Sequence, residues 1–186
     1  MKKKYKLLKD DTTIINGRTL YRIIALRDLT DVKTGDKGGY VESENNLSQS
    51  CDSWVYGDAK VYDDAEVSGD AVVRGNAVVC DDAEVCENAV VCGDAVVCGD
   101  AVICGDAEIS DKVGYYVGKN VWSSGRFFTY TRSNRMWSVG GFHGTGEELI
   151  RKAYKDGAVS GREYKRVVEY VEAMYADLES SLIIHQ

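Results

Sequence analysis

Between Val55 and Ile109 an aliphatic residue returns at every sixth position: 55, 61, 67, 73, 79, 85, 91, 97, 103 and 109. An alanine follows four residues after each, from Ala59 to Ala107, until the pattern ends. A two-residue polar corner separates them, spelled Gly-Asp, Asp-Asp, Gly-Asn or Glu-Asn. A helix would place apolar residues at i, i+3, i+4 and i+7, and a half-buried strand would alternate without pausing every six residues. A fixed short period marks a solenoid. Each hexad predicts one short strand and one turn. The large aliphatic fills the interior, alanine fits the crowded bend, Gly accepts positive φ, and Asx side chains bond their own backbone. Three hexads close a triangular coil, and coils stack at the sheet spacing of ~4.8 Å. The repeat predicts roughly three such coils.

Outside the repeat the pattern changes. Residues 1–50 predict an N-terminal β lobe, with strands at Tyr5–Leu8 and Thr19–Leu26, a hairpin-turn signal at Asn16-Gly17 and a turn-rich loop over Asp31–Gly39. Counting back from Ala59, Leu47 and Ser53 fall in the small-residue phase. The lobe is expected to cap the open end of the solenoid, because terminal units of repeat proteins are atypical. Residues 51–122 form the repeat region, and Tyr115-Tyr116-Val117 with Val121-Trp122 read as its last, irregular coil.

Residues 123–186 predict a hairpin over Arg126–Tyr130 and Met136–Val139, turning at Ser133-Asn134, and then two helices. Capping boxes at Thr145-x-x-Glu148 and Ser160-x-x-Glu163 open the helices. The first runs to about Tyr154 and stops at Gly157; the second runs to about Leu178. Tyr164, Val167, Val168, Val171, Met174, Tyr175 and Leu178 make one apolar stripe, which predicts a packed face.

The V-x-G-D-A-x hexads over Trp54 to about Val113 resemble the hexapeptide-repeat family. That resemblance implies a left-handed parallel β-helix. The expected fold is therefore mainly β: such a helix with an N-terminal β cap and a C-terminal hairpin plus two α-helices. The layout is also similar to proteins of bacteriophages and prophages. The segments that carry this second likeness are Gly17–Arg22, Gly38–Glu44, Asn46-Leu47-Ser48, Trp54-Val55 and the Gly-Asp-Ala hexads. It implies a mobile-element context and assigns no activity, and a fold shared with transferases is no argument for transfer chemistry.

Charge adds an asymmetry. The chain carries 23 basic and 30 acidic residues, a formal −7. Residues 51–111 hold fifteen acids against Lys60 and Arg74 alone, a net −13, so the rest carries +6. The second corner position holds Asp58, Asp64, Asp70, Asp82, Asp94, Asp100 and Asp106, interrupted by Asn76 and Asn88, and Glu66 and Glu84 add charge that turn geometry does not require. Three corners per ~4.8 Å coil give up to one charge per ~1.6 Å, against one per ~1.7 Å in duplex DNA. Such a ladder can imitate a nucleic-acid backbone toward a basic partner. The plainer reading is that Asx serves the turns and the charge merely solvates them.

Val72, Val78, Val90 and Val96 occupy strand positions taken elsewhere by Lys60, Glu66, Glu84 and Glu108. With Cys80 and Cys98 they form apolar faces, which signal contact with the C-terminal helices or with identical subunits; a dimer or trimer is expected. Five of the six cysteines, at 80, 86, 92, 98 and 104, follow the interior aliphatic in one outward-pointing phase. They stack as Cys80 over Cys98 and Cys86 over Cys104, with Cys92 below Arg74. Three roles remain open for them: small apolar surface residues in a reducing compartment, an interface, or metal and redox work.

Catalytic candidates are few. Hexapeptide acyltransferases use a histidine as general base, and the histidines here are His143 and His185, both outside the hexads. His143 lies in Gly140-Gly141-Phe142-His143-Gly144-Thr145-Gly146 beside a helix start and is a weak candidate. A three-histidine zinc site is not available from two histidines, and no metal or cofactor is expected. Gly140–Gly146 lacks the Gly-Lys-Ser/Thr of a phosphate loop. The basic-aromatic hairpin Arg126–Trp137 resembles a single-strand binding surface in composition, but the solenoid's acidity opposes nucleic acid.

No run of ~18 apolar residues spans a membrane, and no apolar stretch follows Met1-Lys2-Lys3-Lys4, so a soluble cytoplasmic protein is expected. The expected function is non-enzymatic binding of a host macromolecule through the acidic solenoid and the C-terminal lobe. The partner would be a basic nucleic-acid-handling protein, and the role inhibition of host defence of the anti-CRISPR kind. An acyltransferase-like enzyme and a self-associating scaffold are the alternatives.

Overall fold

The computed structural model describes residues 3–183 and divides into two compact units, Met1–Gly114 and Tyr115–Gln186. The first unit begins with an antiparallel hairpin of β1 (Tyr5–Ile15) and β2 (Arg18–Ala25). Asn16 and Gly17 turn it with φ of 50° and 80°, the left-handed pair that a tight hairpin needs. β2 pairs antiparallel with β3 (Lys37–Val41), which emerges from the end of the predicted loop.

Ten two-residue strands follow, β4–β13: Trp54–Val55, Lys60–Val61, Glu66–Val67, Val72–Val73, Val78–Val79, Glu84–Val85, Val90–Val91, Val96–Val97, Val102–Ile103 and Glu108–Ile109. They sort onto three parallel faces. Face A stacks β3, β5, β8 and β11; face B stacks Leu47, β6, β9 and β12; face C stacks β4, β7, β10 and β13. The result is a parallel β-solenoid of about 4 turns.

That is one turn more than the repeat predicts, because the N-terminal lobe supplies the first rungs of faces A and B. Val41 pairs with Val61 and Leu47 with Val67, twenty residues on, whereas later rungs such as Trp54 and Val72 lie eighteen apart. Two extra residues between Leu47 and Val55 shift the phase. Leu47 therefore holds a large-aliphatic position rather than the small-residue one that counting backward assigns, and Ser53 keeps its place in line with Ala71.

The interior follows the hexad closely. Val61, Val79 and Val97 on face A are fully buried, as are Ala59, Ala77 and Ala95. Backbone amides join the coils: Lys60 N donates to Ala77 O at 2.9 Å and Tyr62 N to Val79 O at 3.1 Å. The first corner residue has positive φ throughout, including the non-glycines Asp63 (59°), Asp81 (58°) and Glu87 (57°). Each turn thus spends one left-handed residue, which Gly adopts freely and Asx tolerates.

The first coil is closed by polar anchors from the lobe. Lys4 is fully buried and its Nζ donates to Ser53 O at 2.8 Å and Ser53 Oγ at 3.1 Å. Tyr5 Oη donates to Leu47 O at 2.7 Å. Asn46, buried in a short 3-10 turn at Glu44–Asn46, donates to Asp63 O and Ala65 O, both at 2.9 Å. These contacts satisfy main-chain carbonyls that have no coil above them.

The second unit holds an antiparallel sheet in the order β14 (Tyr115–Lys119), β15 (Phe127–Thr131), β16 (Met136–Val139) and β17 (Phe142–Gly144). The last irregular coil expected at Tyr115-Tyr116-Val117 with Val121-Trp122 does not form; Tyr115–Lys119 pairs antiparallel with Phe127–Thr131 along its whole length. After Ile109 the alanine and the corner pair no longer recur, so nothing holds the chain in the coil. Helix α1 (Gly146–Asp156) is capped by Thr145, which exchanges hydrogen bonds with Glu148, and ends at Gly157. Helix α2 (Ala158–Ile183) starts two residues before Ser160, directly after Gly157. Glu163 does not cap it; its carboxylate accepts from Arg162 and Arg166 instead. Tyr164, Val168, Val171 and Tyr175 of the stripe pack with Phe128, Tyr130, Trp137 and Leu149, while Leu178 is 41% exposed. No helix among the described residues is long and apolar enough to cross a membrane. His185 lies outside the described residues.

Candidate functional site

The three corners of the solenoid differ in charge. Residues eighteen apart stack, so one corner column holds Asp58, Asn76 and Asp94, a second Asp64, Asp82 and Asp100, and a third Asp70, Asn88 and Asp106. In the first and third columns an asparagine breaks the run. Asn76 Nδ2 donates to Asp94 Oδ1 at 2.9 Å, and Asn88 Nδ2 to Asp106 Oδ1 at 3.1 Å. The second column has no amide. It is bordered by Asp63 and Asp81, the residues that carry positive φ there in place of glycine. Asp81 accepts from Gly99 N at 2.9 Å, so its carboxylate also links two coils.

Face B continues this edge. Glu66 stands in register with Glu84 on the neighbouring strand, and both are exposed. Like charges directly across a sheet repel, and no cation is interposed by the hexads, whose own cations are Lys60 on face A and Arg74 on face C. Asp64, Asp82, Glu66 and Glu84 are exposed and Asp100 is half-buried. The edge and the face together form one acidic surface in which carboxylates repeat at the coil spacing of ~4.8 Å.

The other two faces are covered in part by the same chain. Leu20 from β2 packs with Tyr62 and Cys80, and Ile15, Tyr40, Val78 and Cys98 gather round them. The apolar patch on face A, expected to meet another subunit or the helices, thus meets the N-terminal hairpin. On face C, Val72 and Tyr56 line a pocket with Leu29 and Val32, and that loop is tied down by Asp52, which accepts from Thr30 Oγ1 at 2.6 Å. Val90 and Val96 are half-buried.

The hairpin also neutralises the top of the ladder. Arg18 pairs with Asp63 and, at 2.9 Å, with Glu42; Arg22 stands 3.5 Å from Asp58 and 3.2 Å from Asp11. In the sequence Arg18 and Arg22 belong only to the segment that carries the phage likeness, and nothing local places them at the ladder. Asp63 and Asp81 carry a local signal, since they replace glycine at the first corner position.

The cysteines stack in the expected columns and are all free thiols. Cys80, Cys92 and Cys104 are buried, whereas Cys86 and Cys98 are half-buried. A hydrogen bond with Cys104, then burial, pushes the Cys86 thiol pKa up, and burial first does the same to Cys80 and Cys92. A raised pKa keeps the unreactive thiol form. Asp63, Cys80 and Asp81 place possible ligand atoms within 4.8 Å of one another. Arg18 already pairs with Asp63, and Tyr62 hydrogen-bonds Cys80, so the trio is accounted for by its neighbours.

His143 lies on β17 opposite Ser138, and its Nδ1 is 3.1 Å from Ser138 Oγ. Of the basic-aromatic hairpin, Phe128, Tyr130 and Trp137 are core residues, which leaves Phe127 at the surface under Lys119. Comparison of the sequence with protein-family models and with curated proteins found no match.

Proposed function

We propose that this protein is a non-enzymatic binding module whose acidic edge and face B engage a basic macromolecular partner. The observation that carries the reading is the uninterrupted column Asp64–Asp82–Asp100 beside the in-register Glu66–Glu84 pair. Turn geometry accounts for Asx at a corner, since asparagine serves equally well at two sites in the other columns. It does not account for paired glutamates on a strand face, where repulsion costs stability. Faces A and C are covered in part by the chain's own hairpin and loop, which leaves face B as the surface offered outward.

A rigid array of carboxylates at regular spacing suits a groove built for a phosphate backbone. The partner class is accordingly a basic, nucleic-acid-handling protein, and occupation of its groove would inhibit it. The phage-like layout read from the sequence is consistent with a partner in a host cell, where inhibition would act against host defence. His143 lies outside the solenoid, on an edge strand beside Ser138, and this position offers little support for acyl transfer.

The test is capture of partners from a bacterial lysate at low and high salt, with the Glu66→Gln/Glu84→Gln variant alongside. A basic nucleic-acid-handling protein retained at low salt, released at high salt and lost in the variant supports the reading, because such contacts are screened. Retention of the same proteins by the variant would sink it.

A further inference from the structure

Arg126 and Lys152 of the C-terminal unit are cations whose side chains form no ion pair among the described residues. Both line one pocket of about 320 Å³, at the lower end of the size range for small-molecule sites. Asp156 is the one carboxylate in its lining, so the pocket is net positive in a chain that is net negative.

The neutral groups of the lining are set to donate. Asn120 is buried, and its Nδ2 donates to Ser123 Oγ at 2.8 Å and to Tyr164 Oη at 3.0 Å, with Ser124 Oγ further off at 3.4 Å. Ser123 returns its proton to Asn120 Oδ1 at 3.1 Å, whereas Tyr164 uses a lone pair on Asn120 and keeps its proton for another acceptor, as does Ser124. Asn120 is itself fixed by backbone bonds that close the loop: its N donates to Arg126 O and its O accepts from Gly125 N, both at 2.8 Å. Ser160 joins them from the first turn of α2, where amide groups lack acceptors inside the helix. Gly140 leaves room for the guanidinium: a Cβ there would stand 3.0 Å from Arg126 Nη1. Val139, Leu149 and Ala153 form an apolar wall on the same pocket.

We propose that this pocket binds a small phosphate monoester, with the phosphate between Arg126 and Lys152 and the organic group against Val139, Leu149 and Ala153. A planar guanidinium offers a paired fork to two phosphate oxygens and a lysine supplies a mobile point charge. Two cations match a dianion better than a lone carboxylate, and the hydroxyls of Ser124 and Tyr164 serve the remaining oxygens. The pocket belongs to the C-terminal unit and the proposed partner surface to the solenoid, so the two readings are tested separately.

The experiment is titration of the intact protein with inorganic phosphate and with phenyl phosphate, read by calorimetry and by tryptophan fluorescence. Trp122 reports because its ring lies edge-on to Tyr164 with centroids 5.1 Å apart. Saturable binding is expected, tighter for phenyl phosphate because of the apolar wall. Arg126→Gln and Lys152→Gln should each weaken it at least about tenfold, Asp156→Asn should strengthen it, and Lys165→Gln, outside the pocket, should leave it unchanged. Arg126 and Lys152 are exposed, so the variants should keep the melting temperature of the parent. Absence of saturable binding to both probes, or binding indifferent to Arg126→Gln and Lys152→Gln, would overturn the proposal.

Discussion

Asn76 donates its side-chain amide to the Asp94 carboxylate one coil further along, at 2.9 Å. The pair turns a stacking of two polar corners into a hydrogen bond between coils, and Asn88 repeats the device with Asp106 at 3.1 Å. The column Asp64–Asp82–Asp100 forgoes it. Corner chemistry thus offers a stabilising solution that one edge of the solenoid does not use, and that edge is where the proposed partner surface lies.

Asp82→Asn should therefore separate stability from binding. The new amide can bond Asp100 as Asn76 bonds Asp94, and a like-charge contact is removed. The melting temperature should rise by about 1–3 °C, the scale of a surface charge term in a chain of this size. Low-salt affinity for a basic partner should fall by roughly an order of magnitude. Differential scanning calorimetry and a binding titration at two salt concentrations read the two effects; a fall in melting temperature would show that the column is not repulsive.

Two glycines with nearly the same dihedral separate backbone strain from steric room. Gly69 has φ +63° and Gly99 φ +67°. A Cβ at Gly69 would sit 2.7 Å from Glu87 N, whereas at Gly99 nothing lies within 4 Å. Gly99→Ala should cost only the left-handed penalty, about 1–2 kcal/mol. Gly69→Ala should cost clearly more, because backbone of the next coil has to move. Urea denaturation of the two variants checks the order.

The interior should tolerate neither loss nor gain of volume. Ile103 and Ala89 are both fully buried. Ile103→Ala should cost about 2–5 kcal/mol through the cavity it leaves. Ala89→Leu should cost at least about 1–3 kcal/mol, since the bend beside it is already filled. Chemical denaturation measures both, and an unchanged midpoint for Ala89→Leu would mean that the alanine phase is not crowded.

Lys4 gives the fold a pH signature. Burial, with a smaller push from Arg27, lowers its pKa from 10.5 to about 8. Between those values the unfolded chain holds a proton that the folded chain has released, so stability from this group rises with pH from about 8 to 10.5. Below that window the folded state carries the cost of a buried ammonium, offset by its bonds to Ser50 O and Ser53. Denaturation midpoints of the parent and of Lys4→Met should converge as pH rises if the methionine removes that cost, and parallel curves would refute the assignment.

The hexads made the solenoid legible because every repeat obeys one rule at three positions, and the rule is local. The Thr145 cap, the Asn16-Gly17 turn and the Gly157 stop were legible for the same reason. Two readings failed where the controlling partner is distant. Leu47 was misplaced because a two-residue insertion before Val55 resets the phase, and pairing with Val67 reveals it. Tyr115-Tyr116-Val117 reads as part of a last coil because the strand's partner, Phe127–Thr131, is named only by the fold. Ser160 read as a cap because its spacing to Glu163 is right, yet Gly157 had already reset the chain.

The sequence by itself determined the period, the buried aliphatic and alanine phases, and a strong excess of acid along the repeat, since each depends on residues within one hexad. Only the tertiary structure decided which surface remains available. The hairpin covers Val78, Cys80 and Cys98 on face A, Arg18 and Arg22 neutralise the first carboxylates, and β3 and Leu47 supply the first rungs of two faces. Arg126 and Lys152 likewise share a pocket only because a sheet loop and a helix meet there. Contacts between segments far apart in the chain carry no local signature, so charge and apolar faces could be counted from the sequence, but what they face could not.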